Sequence, residues 1–125
     1  MFLILTAMLA FQFKHFICDF VLQPYSMVVK KGIYLHPLGL LHATIHVLGS
    51  IPAVLMLTHA PELVATLLAG EFVIHYHTDW TKSQLDKRLH LDNRSTLHWV
   101  IFGADQLIHN ATYVAMIYAV EFGFR

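Results

Sequence analysis

The sequence has 125 residues, of which 57% are hydrophobic and 13% are charged, against roughly 45–50% and about 25% in ordinary globular proteins. Lys plus Arg equals Asp plus Glu at 8 each, and one cysteine is present. These values exclude a disordered chain, a basic nucleic-acid-binding protein and a disulfide scaffold. They predict a small membrane protein, in which ten histidines are an unusual number.

Four segments have the length and composition of membrane spans, because a bilayer core of about 30 Å needs around 20 mostly apolar helical residues. The first lacks a basic start and a cleavage site before His15 and Asp19, so we predict a retained helix rather than a signal peptide. The predicted fold is an all-α, integral membrane four-helix bundle. It is a single transmembrane domain over residues 1–125, with spans at about 2–22, 37–57, 62–80 and 97–120.

Basic residues in the loops predict the orientation of these spans. The first loop holds Lys30 and Lys31, and the turn at 58–61 holds no Lys or Arg. The third loop holds four basic residues: Lys82, Lys87, Arg88 and Arg94. By the positive-inside rule, loops one and three face the cytoplasm and both termini face outside. We therefore predict a multi-pass membrane protein. Residues 83–89 either prolong the third helix or form a short interfacial helix.

Each predicted span carries one pair of residues that can bind a metal, spaced four positions apart. Residues at this spacing share one face of a helix. Counted from the cytoplasmic ends with the helical rise, all four pairs lie at overlapping depths in the cytoplasmic half. We predict that they face the bundle interior and form a metal site. Its eight residues are His15, Asp19, His42, His46, His75, Asp79, Asp105 and His109.

The cost of unpaired ionisable groups in lipid favours a metal at these residues, since an Asp within a span costs about 2.5–3.5 kcal/mol on insertion scales. Imidazole and carboxylate ligands suit a divalent transition metal, Zn, Fe or Mn, and the set is large enough for one or two ions. Two alternatives stay open. The pairs could hold the helices together by hydrogen bonds worth around 0.6 kcal/mol each, or they could form a proton or ion path.

Several other polar residues in the spans have two interpretations. Glu71 and Lys14 are the predicted catalytic residues, Glu71 as a general base and Lys14 as a contact for an anionic substrate group. Glu71 could equally be a buried, hydrogen-bonded side chain, and Lys14 could extend to the interface or pack there. Gln23 and Gln106 either orient metal ligands or make ordinary interhelical hydrogen bonds. Cys18 is predicted to be an inert buried thiol.

The order of these motifs resembles domain-of-unknown-function family 3307, small polytopic membrane proteins of bacteria and phages. The resemblance covers about residues 8–115 and consists of HxxxDFxxQ from His15, HxxxH from His42, HxxxD from His75 and DQxxH from Asp105. It implies an integral membrane protein, and with the predicted orientation it places the expected location in the bacterial inner (cytoplasmic) membrane. Looser likenesses, to the LexA-regulated inner-membrane predicted metal-dependent hydrolases and to zinc-dependent phospholipases C, suggest a reaction class.

The leading functional hypothesis is a membrane-embedded metal-dependent hydrolase with a mono- or dinuclear His/Asp site in the cytoplasmic half. Its position at the inner leaflet predicts a lipid or lipid-linked substrate, so membrane lipid is the expected partner. The alternative is a non-enzymatic membrane protein: a metal or proton transporter, or a phage membrane component with structural polar pairs. The outer half of the spans is poor in polar residues, which favours a blind-ended pocket over a pore. A homo-oligomer is a further open alternative.

Overall fold

The computed structural model describes residues 1–123, and over these residues the chain is helical with no β-strand. The prediction of an all-α protein is confirmed. In chain order the helices are α1 (Phe2–Phe16), α2 (Tyr25–Lys30), α3 (Pro37–Leu57), α4 (Pro61–Arg88) and α5 (Thr96–Tyr118). Two of them, α1 and α5, continue into π-helical turns at Ile17–Val21 and Ala119–Gly123.

Local sequence signals explain where the long helices begin. Pro37 and Pro61 occupy the first turns of α3 and α4, where proline fits because its missing N–H would have no helical partner. The His36 ring Nδ1 accepts a hydrogen bond from the backbone N–H of Leu38 at 3.1 Å and caps α3. These signals account for the start of α3, and the whole helix has the same bounds as the predicted span at 37–57.

Two predicted connections are partly helical in the structure. The first loop contains α2, which was not predicted. The third span, predicted at 62–80, continues to Arg88, so the connection to α5 is only 89–95. Of the two alternatives for residues 83–89, the structure has the prolonged helix. Lys87 and Arg88 lie in its last turn, where positive charge favours a helix C-terminus.

The four long helices enclose a common interior. In that arrangement α1 packs on α3, α3 on α4 and α4 on α5, while α1 also contacts α5 and the short α2 lies on α3. One part of this interior is lined by polar side chains. Beyond that polar part, it is filled by an apolar cluster that includes Phe11, Val54, Leu67 and Tyr113, with the Phe11 and Tyr113 rings stacked at 4.9 Å.

Two helical segments, Phe2–Val21 and Pro37–Leu57, are long and apolar enough to cross a membrane. Their mean hydropathies are 1.4 and 1.8. The other two predicted spans lie in α4 and α5, which do not meet the same combined criterion of length, hydropathy and charge. These helices contribute Glu71, Asp79 and Asp105 to the interior, and such polar residues lower the mean hydropathy of the segments that carry them.

Candidate metal centre

Asp19 connects three helices at the centre of the polar interior. It lies in the π-helical turn after α1, a distortion that is frequent at functional sites. Its Oδ1 atom accepts a hydrogen bond from Nε2 of His46 at 2.9 Å and lies 3.2 Å from Nε2 of His42. Its Oδ2 atom lies 3.2 Å from Nε2 of His15 and accepts a hydrogen bond from the Gln106 amide at 3.2 Å.

Asp79 on α4 lies beside a second set of imidazoles, which shares His42 with the set around Asp19. Its Oδ2 atom lies 3.2 Å from Nε2 of His42 and 3.4 Å from Nε2 of His75. Its Oδ1 atom lies 3.5 Å from Nε2 of His109 and 3.1 Å from the ammonium group of Lys31. His42 therefore stands between the two carboxylates.

Five histidine rings from all four long helices form one cluster. The centroids of His46 and His75 are 3.8 Å apart, and those of His75 and His109 are 4.2 Å apart. His42 is 4.7 Å from His46, and His15 is 5.2 Å from His109. Each of these residues is 5% exposed or less, so the cluster is closed off from solvent.

Several ring nitrogens in this cluster have no hydrogen-bond partner. They are both nitrogens of His42, both nitrogens of His75 and Nε2 of His109. Carboxylate oxygens lie within 3.2–3.5 Å of the three Nε2 atoms, but none is in hydrogen-bonding geometry. An unsatisfied buried polar group costs about 1–3 kcal/mol. A cation among these nitrogens would provide the partner that they lack, so the residues fit a metal ion.

Two sets of ligand atoms are close enough to hold a metal, and within each set the atoms lie within 4.8 Å of one another. Imidazole nitrogens with carboxylate oxygens are a donor set that suits Zn, Fe and Mn. The first ligand group is Asp19, His42, His46 and His75, and the second is His75, Asp79 and His109. His75 belongs to both groups.

His15 and Asp105, the remaining predicted ligands, flank these groups. Both ring nitrogens of His15 have other partners at 2.9 Å, the Tyr113 hydroxyl and the Gln106 side-chain oxygen. Oδ1 of Asp105 has no hydrogen-bond partner and lies 3.5 Å from Nε2 of His109. Tyr113 was not among the predicted site residues, although it follows His109 by four positions and so shares its helix face.

Lys14 and Glu71 form a buried ion pair behind His46. The Lys14 ammonium lies 2.5 Å from Oε1 of Glu71, which also accepts a hydrogen bond from the Ser50 hydroxyl at 2.8 Å. Lys14 donates to the backbone carbonyl of His46 at 3.1 Å and lies 3.4 Å from its ring Nδ1. Lys14 is 8% exposed and Glu71 1%. Ser50 was not predicted, although it follows His46 by four positions.

The segment after α2 covers the end of the site formed by Asp79. The backbone of Lys31 lies so near Gly39 that a Cβ atom on Gly39 would be 3.2 Å from the Lys31 Cα. The Leu35 backbone N–H donates to the Tyr76 hydroxyl at 2.5 Å, and Leu35 has a φ of 57°. These contacts hold the segment against α3 and α4 and bring Lys31 to Asp79, a pairing that the sequence did not indicate.

The family model described as "Protein of unknown function (DUF3307)" matches residues 4–123, nearly the whole chain. The chain belongs to this family. The resemblance stated from the motifs is confirmed, and the match includes every residue of the histidine cluster. No curated protein and no solved structure matches the chain. The looser likeness to metal-dependent hydrolases stays a prediction.

Proposed function

We propose that this protein is a membrane-embedded, metal-dependent hydrolase that acts on a lipid or lipid-linked substrate. One observation carries the proposal. Buried ring nitrogens of His42, His75 and His109, from three different helices, converge beside two carboxylates and have no hydrogen-bond partner. A set of purely structural interhelical pairs would be expected to satisfy its own donors and acceptors.

The distribution of polarity supports a membrane location. Large apolar residues such as Leu9, Phe13 and Leu107 are at least 60% exposed, whereas ten polar or charged residues among residues 1–123 are buried. This is the reverse of the pattern in water-soluble proteins, and intramembrane ionisable residues characteristically face the protein interior. We propose a multi-pass four-helix bundle in the bacterial inner membrane, with the loops that carry Lys31 and Arg94 in the cytoplasm and both termini outside.

Of the eight predicted residues, six would bind the metal and two would contact those ligands. The two ligand groups supply the donor atoms for one or two divalent Zn, Fe or Mn ions, while His15 and Asp105 contact the ligands from the side. When bound, such an ion supplies an activated water molecule and polarises a carbonyl or phosphoryl group for hydrolysis. The carboxylates of Asp19 and Asp79 balance positive charge, and His15 orients Asp19 through its contact at 3.2 Å.

The roles proposed for Lys14 and Glu71 follow from their contacts. Lys14 touches His46 at its carbonyl and ring Nδ1, so it is a positioning residue for one metal ligand. Glu71 holds Lys14 in place through Oε1, and its Oε2 atom has no hydrogen-bond partner. That oxygen is free of other contacts, which supports the base role predicted for Glu71.

The apolar cluster supports a pocket rather than a transport path. Phe11, Val54, Leu67 and Ile117 fill the interior on the far side of Ser50 from the histidine rings. A path for protons or metal ions needs polar groups or water across the whole membrane. The polar part of the interior is therefore closed at one end by apolar side chains, which favours hydrolysis at the inner leaflet over transport.

Elemental analysis of the detergent-purified protein, prepared with a histidine-free affinity tag, tests the metal site. We expect at least about one equivalent of Zn, Fe or Mn in the wild type, because the first ligand group alone offers enough donors for one ion. The His42→Ala/His46→Ala variant should lose most of this metal. The matched control is His59→Ala/His90→Ala, which removes two exposed histidines outside the cluster and should retain the metal.

Metal content below about 0.3 equivalents in the wild type would contradict the proposal and favour the hydrogen-bonding alternative. If metal is present, incubation with inner-leaflet phospholipids followed by mass spectrometry of the products tests hydrolysis. Turnover should disappear in His42→Ala/His46→Ala and persist in the control. Metal flux into proteoliposomes without lipid cleavage would instead support transport.

A further inference from the structure

A groove between α4 and α5 opens on the outer surface of the protein. Its volume is about 460 Å³, within the range of roughly 300–1,000 Å³ that ligand pockets occupy. On α4 its wall runs from Val73 to Leu85, a length of about 18 Å at the helical rise. On α5 it runs from Ile101 to Ile108. The length of this α4/α5 groove suits an extended chain better than a compact molecule.

The groove is mainly apolar and carries one ammonium group near one end. Val73, Ile74 and Ile108 line one part, and all three are exposed apolar residues. Thr81 and Lys82 line the part closer to the end of α4, together with the apolar side chain of Leu85. A molecule with a hydrocarbon chain and a charged head matches this arrangement.

Lys82 provides a cation that can contact an anionic head group at this end of the groove. The Lys82 ammonium lies 2.6 Å from Oδ2 of Asp86, and Oδ1 of the same carboxylate lies 3.1 Å from Nδ1 of His98. Because Asp86 has this second partner, Lys82 can turn towards a phosphate without leaving Asp86 unpaired. Lys82 is the ammonium group that lines the groove.

The wall of the groove is shared with the candidate metal centre. Asp105 lines the groove although it is only 6% exposed, and its Oδ1 atom has no hydrogen-bond partner. That atom lies 3.5 Å from Nε2 of His109, a member of the second ligand group. A ligand in the groove therefore lies beside Asp105, which contacts the second ligand group from the other side.

We propose that the α4/α5 groove binds one acyl chain of an anionic phospholipid, with the phosphate beside Lys82 and the hydrocarbon between Ile74 and Ile108. The junction of head and chain, which carries the ester bonds of such a lipid, then lies near Asp105. This inference names the substrate class of the proposed hydrolase and rests on that function for turnover. Binding of the lipid depends on the groove and can be measured separately.

Native mass spectrometry of the full chain in detergent, titrated with phosphatidylglycerol or phosphatidylcholine, measures this binding. Ile108→Trp fills the groove and should weaken binding of both lipids by about tenfold. The matched control Leu107→Trp makes a similar change at the neighbouring residue, which is 68% exposed and outside the groove. It should bind both lipids within about twofold of the wild type.

Two further variants test the head group. Lys82→Gln should lower the affinity for phosphatidylglycerol by about fivefold, because one charge-assisted contact to the phosphate is lost. The affinity for phosphatidylcholine should fall less, because its choline group already offsets the charge of its phosphate. The control Arg88→Gln removes an exposed cation outside the groove and should preserve the preference for the anionic lipid. An unchanged preference in Lys82→Gln would overturn the assignment of the phosphate.

Equal binding by Ile108→Trp and wild type, or an equal loss in both tryptophan variants, would overturn the groove as the acyl-chain site. Elemental analysis of the same samples separates this inference from the proposed hydrolase. Groove-specific lipid binding by a protein without metal would contradict the hydrolase and leave the lipid site standing. Bound metal without groove-specific lipid binding would contradict the lipid site and leave the proposed hydrolase standing.

Discussion

Lys14 and Glu71 are opposite charges buried together beside the histidine cluster, in a place where neither can reach bulk water. Removing one partner of a buried ion pair leaves the other charge uncompensated, whereas replacing both by apolar residues of similar size can be neutral. The Ser50 hydroxyl adds a hydrogen bond to the shared Glu71 oxygen. Spacing along the sequence did not indicate the pairing, because the two residues are 57 positions apart.

Glu71→Leu should lower the free energy of unfolding by about 3–5 kcal/mol, because Lys14 loses its counter-charge. The double variant Lys14→Met/Glu71→Leu should recover most of that loss. Thermal or denaturant unfolding in detergent, followed by circular dichroism, measures both. As a control, Glu62→Leu on the same helix removes an exposed carboxylate and should change stability by within about 0.5 kcal/mol. A double variant no more stable than Glu71→Leu would contradict the buried pairing.

Among the helical elements, α2 and the segment after it have the contacts that complete the site. Gly39 in the first turn of α3 allows the backbone of Lys31 to come close, and the Gln84 side chain donates to the Gly32 carbonyl at 2.7 Å. This packing directs Lys31 towards Asp79. The sequence predicted this region as a loop, because a helix of six residues is too short to show a clear periodicity.

Gly39→Leu should displace α2 from α3, since its side chain would meet the Lys31 backbone and the Tyr76 ring, where a Cβ would already be 3.2 and 3.5 Å away. We expect a loss of about 1–3 kcal/mol in stability from overpacking and faster trypsin cleavage after Lys30 and Lys31. Gly103→Leu is the matched control, because no atom beyond its chain neighbours and its own helix backbone lies within 4 Å of its Cβ position. Equal protease resistance in Gly39→Leu and the wild type would argue against the packing of α2.

The molecule as a whole has polar groups inside and apolar groups outside. This arrangement has a physical basis in lipid, where the exterior gains nothing from polar side chains and the interior must satisfy every polar group. Under the proposed function, the candidate metal centre requires a partner for its free ring nitrogens, and the apolar exterior requires a lipid environment. Both requirements come from the same distribution of residues.

Labelling with a membrane-impermeant maleimide tests the proposed orientation. In a Cys18→Ala background, a cysteine at the exposed position 59, in His59→Cys, should react in intact spheroplasts. A cysteine at position 93, in Asn93→Cys, should react only after lysis, because the loop with Arg88 and Arg94 is placed in the cytoplasm by the positive-inside rule. The reverse labelling would contradict the orientation, and equal labelling of both before lysis would contradict the membrane topology.

The sequence by itself determined the all-helical fold, the approximate bounds of the long helices and the pairing of residues on helix faces. These features depend on local rules: apolar length, proline and loop chemistry, and the recurrence of a helix face every three to four residues. Only the tertiary structure decided which atoms meet. It brought Asp79 to Lys31, surrounded His15 with Tyr113 and Gln106, and left the ring nitrogens of the ligand groups free. The relative rotation and height of packed helices set such contacts, and no single helix encodes them.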